Sequence, residues 1–269
     1  MPVAIVTGAS SGIGLALSIH LIEKSWTVVL ADLAPPPVSA LTLSPGKSEF
    51  FKTDVTSWDN VAALFKHTFN TYSRLDFVAA NAGIDDRDDV VAESAAEEPE
   101  PLNFKTIDVD LYGSLNTYWC SLHYMRRNPD GRHGKIVFTA SSAGLYAFPS
   151  NPEYCAAKHG LMGFTRSVAQ PLEKDKITVN AICPALVKTG LAPAELLRQI
   201  PQEQMTPMST IMRAYDIFLD DEDYKVTGQT VECSLGDLFY RQQPDFASTS
   251  QKVMFGNEVN VWMDSYERT

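Results

Sequence analysis

Residues 3–14 read Val-Ala-Ile-Val-Thr-Gly-Ala-Ser-Ser-Gly-Ile-Gly, and this stretch decides the fold. The apolar run Val3–Thr7 does not alternate, which is typical of a strand covered on both faces. Glycines follow, and helical spacing begins at Ile13; this is either a tight turn without ligand or an anion site at a helix N-terminus. We predict a dinucleotide site that contains Gly8, Ser10, Ser11, Gly12, Ile13 and Gly14.

Outward from this stretch, apolar runs alternate with helical patterns along the chain. Strands are predicted at 3–7, 27–31, 49–52, 75–80, 135–140, 177–183 and 229–233, and helices at 13–25, 57–72, 102–127, 152–174 and 207–219. This alternation predicts an α/β fold, a Rossmann-type doubly wound parallel sheet of about seven strands with helices on both faces. We predict a single domain over 1–269, with an acidic loop at 85–101, a substrate lid at 189–215 and a C-terminal tail at 234–269.

The 269 residues carry a net charge of −11, concentrated in two short segments. Residues 85–101 hold eight acids and one arginine, and residues 215–237 hold seven acids and one lysine. Without a basic stripe, a nucleic-acid partner is not expected. No apolar run is long enough to span a bilayer. The four cysteines are scattered, and with no targeting segment we expect a reducing, cytoplasmic location.

Asp32 ends the second predicted strand, eighteen residues after Gly14. A carboxylate there can accept hydrogen bonds from the ribose hydroxyls of NAD and would repel the 2′-phosphate of NADP. The alternative is a solvated aspartate at the strand end. Because Leu33 follows, where an NADP site would favour a basic residue, we predict NAD as the cofactor.

Together, the glycine turn, Asn81-Ala82-Gly83, Ser141 and Tyr154-x-x-x-Lys158 resemble the short-chain dehydrogenase/reductase family. Ser141 stands thirteen residues before Tyr154, and the motifs cover most of the chain. The resemblance also implies a homodimer or homotetramer built on the helices at 102–127 and 152–174. The further cofactor contacts that it implies are Asp54, Val55, Asn81, Ala82, Gly83, Pro184, Val187 and Thr189.

Tyr154 and Lys158 stand at positions i and i+4 of a predicted helix, hence on one face. A phenol has an ordinary pKa of about 10, and lowering it by 2–3 units requires about 3–4 kcal/mol of differential stabilisation. The Lys158 ammonium can supply it, and Lys158 would also bind the nicotinamide ribose. Ser141 would orient the substrate oxygen against Tyr154. Ser142 is one residue too close to Tyr154 and is interpreted as structural.

Two positions depart from the family pattern. Many members have an asparagine where this chain has Asp110, which we include among the catalytic candidates. If the family asparagine acts through its backbone carbonyl, an aspartate can take its place. If it acts through its side-chain amide, an aspartate removes that donor and adds a charge that must be paired. We expect activity to survive this change. Ala185 stands where the family usually has glycine after Pro184, and its methyl group would narrow the substrate mouth.

The substrate side is apolar. The stretch from Tyr154 through Ser167, followed by Asn180-Ala-Ile-Cys-Pro, resembles the 15-hydroxyprostaglandin dehydrogenase branch, which implies NAD-linked oxidation of a lipophilic secondary alcohol. The alternatives are a biosynthetic ketone reductase of a secondary metabolite and a catalytically silent cofactor-binding scaffold or sensor. The five histidines lack ligand spacing, so no metal is predicted. The predicted substrate contacts are Ser141, Tyr146, Phe148, Asn151, Tyr154 and Leu186.

Overall fold

The computed structural model describes residues 1–37, 47–86, 89–92, 97–129, 131 and 133–256. Eight strands in these residues form one sheet in the order β3-β2-β1-β4-β5-β6-β7-β8. The first seven are parallel, and β8 runs antiparallel to β7. The strands are β1 Val3–Thr7, β2 Thr27–Asp32, β3 Ser48–Lys52, β4 Phe77–Ala80, β5 Gly134–Thr139, β6 Ile177–Pro184, β7 Thr230–Ser234 and β8 Asp237–Tyr240. The predicted doubly wound architecture is confirmed.

Helices cover both faces of this sheet. They are α1 Gly12–Glu23, α2 Trp58–Tyr72, α3 Gly113–Met125, α4 Pro152–Ala169, α5 Ala194–Gln199, α6 Met208–Leu219 and α7 Thr249–Phe255. On one face α2, α3 and α4 bury side chains such as Phe65, Met125 and Leu161. On the other face α1 and α6 bury Leu17 and Tyr215. Because both faces are covered there, β1, β4, β5 and β6 are buried along their whole length, whereas the edge strands β3 and β8 are partly exposed.

The strand order reverses between the adjacent strands β1 and β4. From β1 the chain continues to β2 and β3 on one side of the sheet, and from β4 it continues to β5 and the later strands on the other side. At such a switch point the loops after the two strands diverge and leave a crevice at their carboxyl ends. The glycine turn after Thr7 and the segment after Ala80 therefore lie at one edge. This edge carries the candidate site.

The eighth strand was not predicted. Residues 237–240 fall in the segment expected to be a C-terminal tail, but they form a hairpin with β7, in which Ser234 faces Asp237. Leu235 and Gly236 form the turn between the two strands, and the backbone of Leu235 is in the left-handed region, with φ of 52°. Leucine is an unusual residue for that conformation, so the usual Asn-Gly or Asp-Gly signature of a hairpin turn is not present here.

The two long helices are shorter than predicted. The helix expected at 102–127 comprises a single turn at Lys105–Ile107, a π-helical turn at Asp108–Tyr112 and then α3. The helix expected at 152–174 ends at Ala169 and tightens into a 3₁₀ segment, Gln170–Asp175. Pro171 lies in that segment, and its missing N–H cannot continue the α-helical bonding.

The predicted lid, residues 189–215, contains two kinds of structure. Its first part holds α5, with no buried residue, and a short 3₁₀ turn, Gln202–Gln204. Residues 208–215 instead form the first two turns of α6 and pack into the core through Ile211, Met212 and Tyr215. Met208 and Met212 of this stretch also pack against that core.

Candidate active site

The glycine turn between β1 and α1 permits only glycine at its key positions. Gly8 and Gly12 have φ of 65° and 51°, in the left-handed region. A Cβ on Gly14 would lie 2.1 Å from the Gly8 carbonyl oxygen. Ser11 caps α1 by position, but its side chain makes no capping bond, so among the described contacts the first amides of α1 are left for another acceptor. This cradle fits a dinucleotide pyrophosphate.

The Asp32 carboxylate stands at the end of β2 beside this turn. Its Oδ2 accepts a hydrogen bond from the Ser10 amide at 2.9 Å, and its Oδ1 accepts one from the Leu33 amide at 2.7 Å. The acid is therefore fixed against the glycine turn, at the position where a ribose recognition residue is expected. Leu33 beside it is exposed.

Asn81 ties the switch point together. Its Nδ2 donates to the Thr7 carbonyl at 3.0 Å, and its amide donates to Thr7 Oγ1 at 2.9 Å. Its Oδ1 accepts from Thr139 Oγ1 at 3.0 Å, and that hydroxyl lies 2.6 Å from the Tyr215 hydroxyl. The sequence motif identified Asn81 but not Thr139 or Tyr215, which come from β5 and α6 and carry no signal of their own.

The other predicted cofactor residues surround the same edge. Asp54 Oδ1 accepts hydrogen bonds from both the hydroxyl and the amide of Thr56, which lower the pKa of the carboxyl. Val55 packs against Gly113, where a Cβ would lie 2.6 Å from a Val55 methyl carbon. Thr189 lies against Gly12, and Val187 is buried behind it. Ala82 follows Asn81, and its amide donates to Thr7 Oγ1 at 3.1 Å, while Pro184 ends β6.

Ser141 lies just beyond the carboxyl end of β5. Its Oγ accepts a hydrogen bond from the Ala143 amide at 3.1 Å, which caps the short 3₁₀ turn Ser142–Gly144. That turn packs directly on α4, because a Cβ on Gly144 would lie 2.8 Å from the Lys158 carbonyl oxygen. Tyr154 and Lys158 are one turn apart on α4, and Lys158 Nζ lies 5.2 Å from the Tyr154 ring centroid.

Lys158 and Asp110 form a buried ion pair, with exposed fractions of 3% and 0%. Asp110 Oδ2 lies 3.0 Å from Lys158 Nζ, which also donates to the Thr139 carbonyl at 2.9 Å. Asp110 Oδ1 accepts from the Ile84 amide at 2.8 Å. The charge that replaces the family's asparagine is thus paired with the lysine of the motif.

The pKa values of both partners are raised, for different reasons. Burial raises the pKa of the Asp110 carboxyl, against the opposing effects of Lys158 and the Ile84 amide. For Lys158, burial lowers the pKa, but the negative groups around it, with Asp110 first among them, together outweigh burial, and the pKa is raised. Asp110 occupies a π-helical turn, a distortion that is frequent at functional sites.

The predicted substrate residues lie around the loop after Ser141. Tyr146 and Phe148 are exposed, and Asn151 precedes α4 as its N-cap residue. Leu186 accepts a hydrogen bond from the Thr206 amide at 2.7 Å, which connects the loop after β6 to the start of α6. The Tyr146 hydroxyl donates to Glu232 at 3.2 Å and accepts from Arg241 at 3.2 Å. Neither partner could be identified from sequence, since Arg241 follows the unpredicted strand β8 and Glu232, on β7, is 86 residues from Tyr146 along the chain.

Two further searches concern the described residues only. Over those ranges, His, Cys, Asp and Glu side chains form no cluster of three that could hold a metal ion. No helix in the same part of the chain is long and apolar enough to cross a membrane. The acidic segment 85–101 is described in part, since residues 87, 88 and 93–96 fall outside the described residues.

A doubly wound sheet with this glycine turn, and with a serine, a tyrosine and a lysine around α4, defines an oxidoreductase that binds a nicotinamide cofactor. The family model for short chain dehydrogenases matches residues 2–198, and the chain belongs to that family.

Known relatives agree with this assignment. The chain is 34% identical to the short-chain dehydrogenase/reductase prx7 of Penicillium rubens, over 92% of this chain and 96% of the relative. It is 30% identical to prx6 of the same organism, over 90% of this chain and 86% of the relative. It is also 38% identical to a 3beta-hydroxysteroid dehydrogenase of Mediterraneibacter gnavus, over 70% of this chain and 67% of the relative.

Solved structures support the same fold. A 3-oxoacyl-[acyl-carrier protein] reductase from Brucella melitensis, in complex with NAD, superposes with a TM-score of 0.76 at 24% identity. The match covers 87% of this chain and 96% of that chain. Levodione reductase gives a TM-score of 0.74 at 24% identity, with coverage of 87% and 96%.

Proposed function

We propose that this protein is an NAD-dependent dehydrogenase that interconverts a lipophilic secondary alcohol and its ketone. The observation that carries the proposal is the juxtaposition of Tyr154 and Lys158 with a buried counter-ion, Asp110, next to the glycine turn. An ammonium buried in this way has a charge that water does not screen. Asp110 holds the Lys158 ammonium in a fixed position, 5.2 Å from the ring centroid of Tyr154.

The residues of the chain divide the work as follows. Tyr154 exchanges a proton with the substrate oxygen, and the Lys158 ammonium stabilises the anionic form of the phenol. Ser141 donates a hydrogen bond to the same oxygen and orients it. Asp110 keeps Lys158 charged and in place. A nicotinamide cofactor held by the glycine turn and Asp32 would supply the hydride chemistry.

Turnover assays test the proposal directly. The purified chain is incubated with NAD and, separately, cyclohexanol, 1-phenylethanol or a 3β-hydroxysteroid, and NADH is followed by absorbance. The same assay is run in reverse with the matching ketones, which also identifies a chain that works as a reductase. If heat-shift measurements show cofactor binding but no alcohol or ketone is converted, the scaffold or sensor alternative replaces the dehydrogenase.

Asp32 is expected to set the preference for NAD. In Asp32→Asn the amide oxygen can still accept the Ser10 amide, but the negative charge that repels a 2′-phosphate is lost. We expect the ratio of kcat/KM with NAD to kcat/KM with NADP to fall by at least about tenfold, since a hydrogen bond to a charged group contributes roughly 1.5–3 kcal/mol. Asp237→Ala, which removes an equal charge at the far edge of the sheet, should leave the ratio unchanged. An unchanged ratio in Asp32→Asn would show that Asp32 does not select the cofactor.

The substrate is proposed to be apolar because Tyr146 and Phe148 present exposed rings in the loop after Ser141. Because the Tyr146 hydroxyl is bonded to Glu232 and Arg241, the apolar ring is the part of this side chain that is available to contact a substrate. One relative is named a 3beta-hydroxysteroid dehydrogenase, which supports including a steroid in the panel. The cytoplasm is the proposed location, since all four cysteines are free thiols, as is usual in a reducing compartment.

A homo-oligomer is proposed on the face of α3. Trp119 and Tyr112 are 62% and 64% exposed, and they line an apolar groove of about 430 Å³ with Trp58 and Phe164. Large exposed aromatic surface of this kind marks protein interfaces. We expect light scattering on the purified chain to give twice or four times the mass of 29.7 kDa. A monomeric mass at micromolar concentration would contradict the proposal.

A further inference from the structure

A carboxylate from outside α4 holds the N-terminus of that helix. Asp86 belongs to the segment that follows Asn81-Ala82-Gly83, far from α4 in sequence. Its Oδ2 accepts a hydrogen bond from the Glu153 amide at 2.9 Å, and its Oδ1 accepts one from the Tyr154 amide at 2.6 Å. Each carboxylate oxygen therefore binds one backbone amide in the first turn of α4, and one of them is the amide of Tyr154 itself.

The local sequence of α4 leaves this task to Asp86. Asn151 occupies the N-cap position, but its backbone has φ of −141° and ψ of 64° and its side chain makes no capping bond. Pro152, the first helical residue, has no N–H. The next two amides would lack an acceptor within the helix. A carboxylate is a favourable acceptor there, because the helix dipole places positive charge at the N-terminus.

The same segment is also joined to Lys158, one turn further along α4. The Ile84 amide donates to Asp110 Oδ1 at 2.8 Å, and Asp110 Oδ2 pairs with Lys158 Nζ at 3.0 Å. The Asp85 carbonyl accepts a hydrogen bond from the Thr106 hydroxyl at 3.0 Å. Residues 84–86 thus contact Tyr154 directly, through Asp86, and are linked to Lys158 indirectly, through Asp110.

We propose that Asp86 is a positioning residue for Tyr154, an inference that rests on the proposed function. Asp86 contacts the backbone of Tyr154 and acts through it. Without the carboxylate, the first turn of α4 loses two charge-assisted hydrogen bonds and frays at the residue that carries the phenol. A displacement of about 1 Å at a reacting group can lower the rate by roughly a hundredfold.

The test compares three variants in the oxidation of 1-phenylethanol or, if that is not turned over, the fastest alcohol of the panel above. In Asp86→Ala we expect kcat to fall by about ten- to a hundredfold, with KM for NAD within about twofold of wild type. Asp86→Asn keeps one acceptor oxygen for the two amides, so its kcat should lie between those of Asp86→Ala and wild type. Ser57→Ala removes the acceptor of the Asn60 amide at the N-terminus of α2, and should leave kcat unchanged.

Hydrogen exchange supplies a readout that needs no substrate. The amides of Glu153 and Tyr154 should both exchange faster in Asp86→Ala than in wild type, whereas Asp86→Asn, with a single acceptor oxygen, should protect only one of them. If Asp86→Ala does not fold, Asp86→Ser replaces it, because a serine hydroxyl is too short to reach both amides. A kcat within twofold of wild type in the folded variant would overturn the inference.

The result can be separated from a failure of the proposed function. If Tyr154→Phe retains turnover, the proposed chemistry is wrong, whatever Asp86 does. If Tyr154→Phe is inactive while the Asp86 variant is fully active, only the positioning role is wrong. If kcat falls in Asp86→Ala and Asp86→Asn restores none of it, the loss of the hydrogen bonds to the Glu153 and Tyr154 amides is not the cause of the slower turnover.

Discussion

Tyr154→Phe is expected to lower kcat by at least about a hundredfold, because general acid–base catalysis by a positioned side chain contributes about 10²–10⁴-fold. The substitution removes only the hydroxyl and leaves the ring beside Lys158. The dissociation constant of NAD should therefore stay within a few-fold of wild type. Initial rates of NADH formation measure kcat, and a thermal-shift titration with NAD measures the dissociation constant.

Tyr240→Phe is the matched control, since it deletes the same atom from an exposed tyrosine on β8. It should leave kcat unchanged. Turnover of Tyr154→Phe at more than a tenth of the wild-type rate would show that another group moves the proton. Loss of NAD binding in this variant would instead give Tyr154 a role in holding the cofactor site together.

The fold was predictable where the position of a segment in the sheet restricts which residues it can contain. Strands covered on both faces must be apolar along their whole length, and β1, β2 and β6 were identified on that basis. Glycine at positions 8, 12 and 14 is required by backbone angles and close approach, so the turn was also identifiable. The edge strand β8 carries no such requirement, because one of its sides faces solvent.

The site was predictable only in part, for a related reason. Ser141, Tyr154 and Lys158 keep a fixed spacing because they stand on one strand end and one helix. Asp86 reaches α4 across 67 residues of sequence, and Glu232 reaches Tyr146 across 86. Such pairs depend on how separate loops meet in space, and no short pattern encodes that. The sequence indicated that the charge of Asp110 must be paired, but it did not identify Lys158 as the partner.

Asp110→Ala is expected to destabilise the fold by about 3 kcal/mol, because removing one partner of a buried ion pair leaves an uncompensated charge. For a domain of this size, that corresponds to a decrease in Tm of roughly 6–12 °C at pH 7. Thermal unfolding followed by circular dichroism measures the difference. Asp175→Ala is the matched control: it also removes a buried acid, but the partner of that acid, Arg126, is partly exposed and can be solvated by water.

The destabilisation by Asp110→Ala should depend on pH in a defined direction. In the wild type the raised pKa of Lys158 means that the pair stabilises the fold below the ordinary value of 10.5, and this stabilisation is lost only as pH rises through the higher folded value. In the variant, burial without a counter-ion lowers the pKa of Lys158, so the folded lysine loses its proton first and the penalty shrinks as pH approaches 10.5. The difference in Tm from wild type should thus be smaller at pH 10 than at pH 7. For Asp175→Ala it should stay constant, because arginine does not titrate in this range; a constant difference for Asp110→Ala as well would mean that Lys158 is not held charged by Asp110.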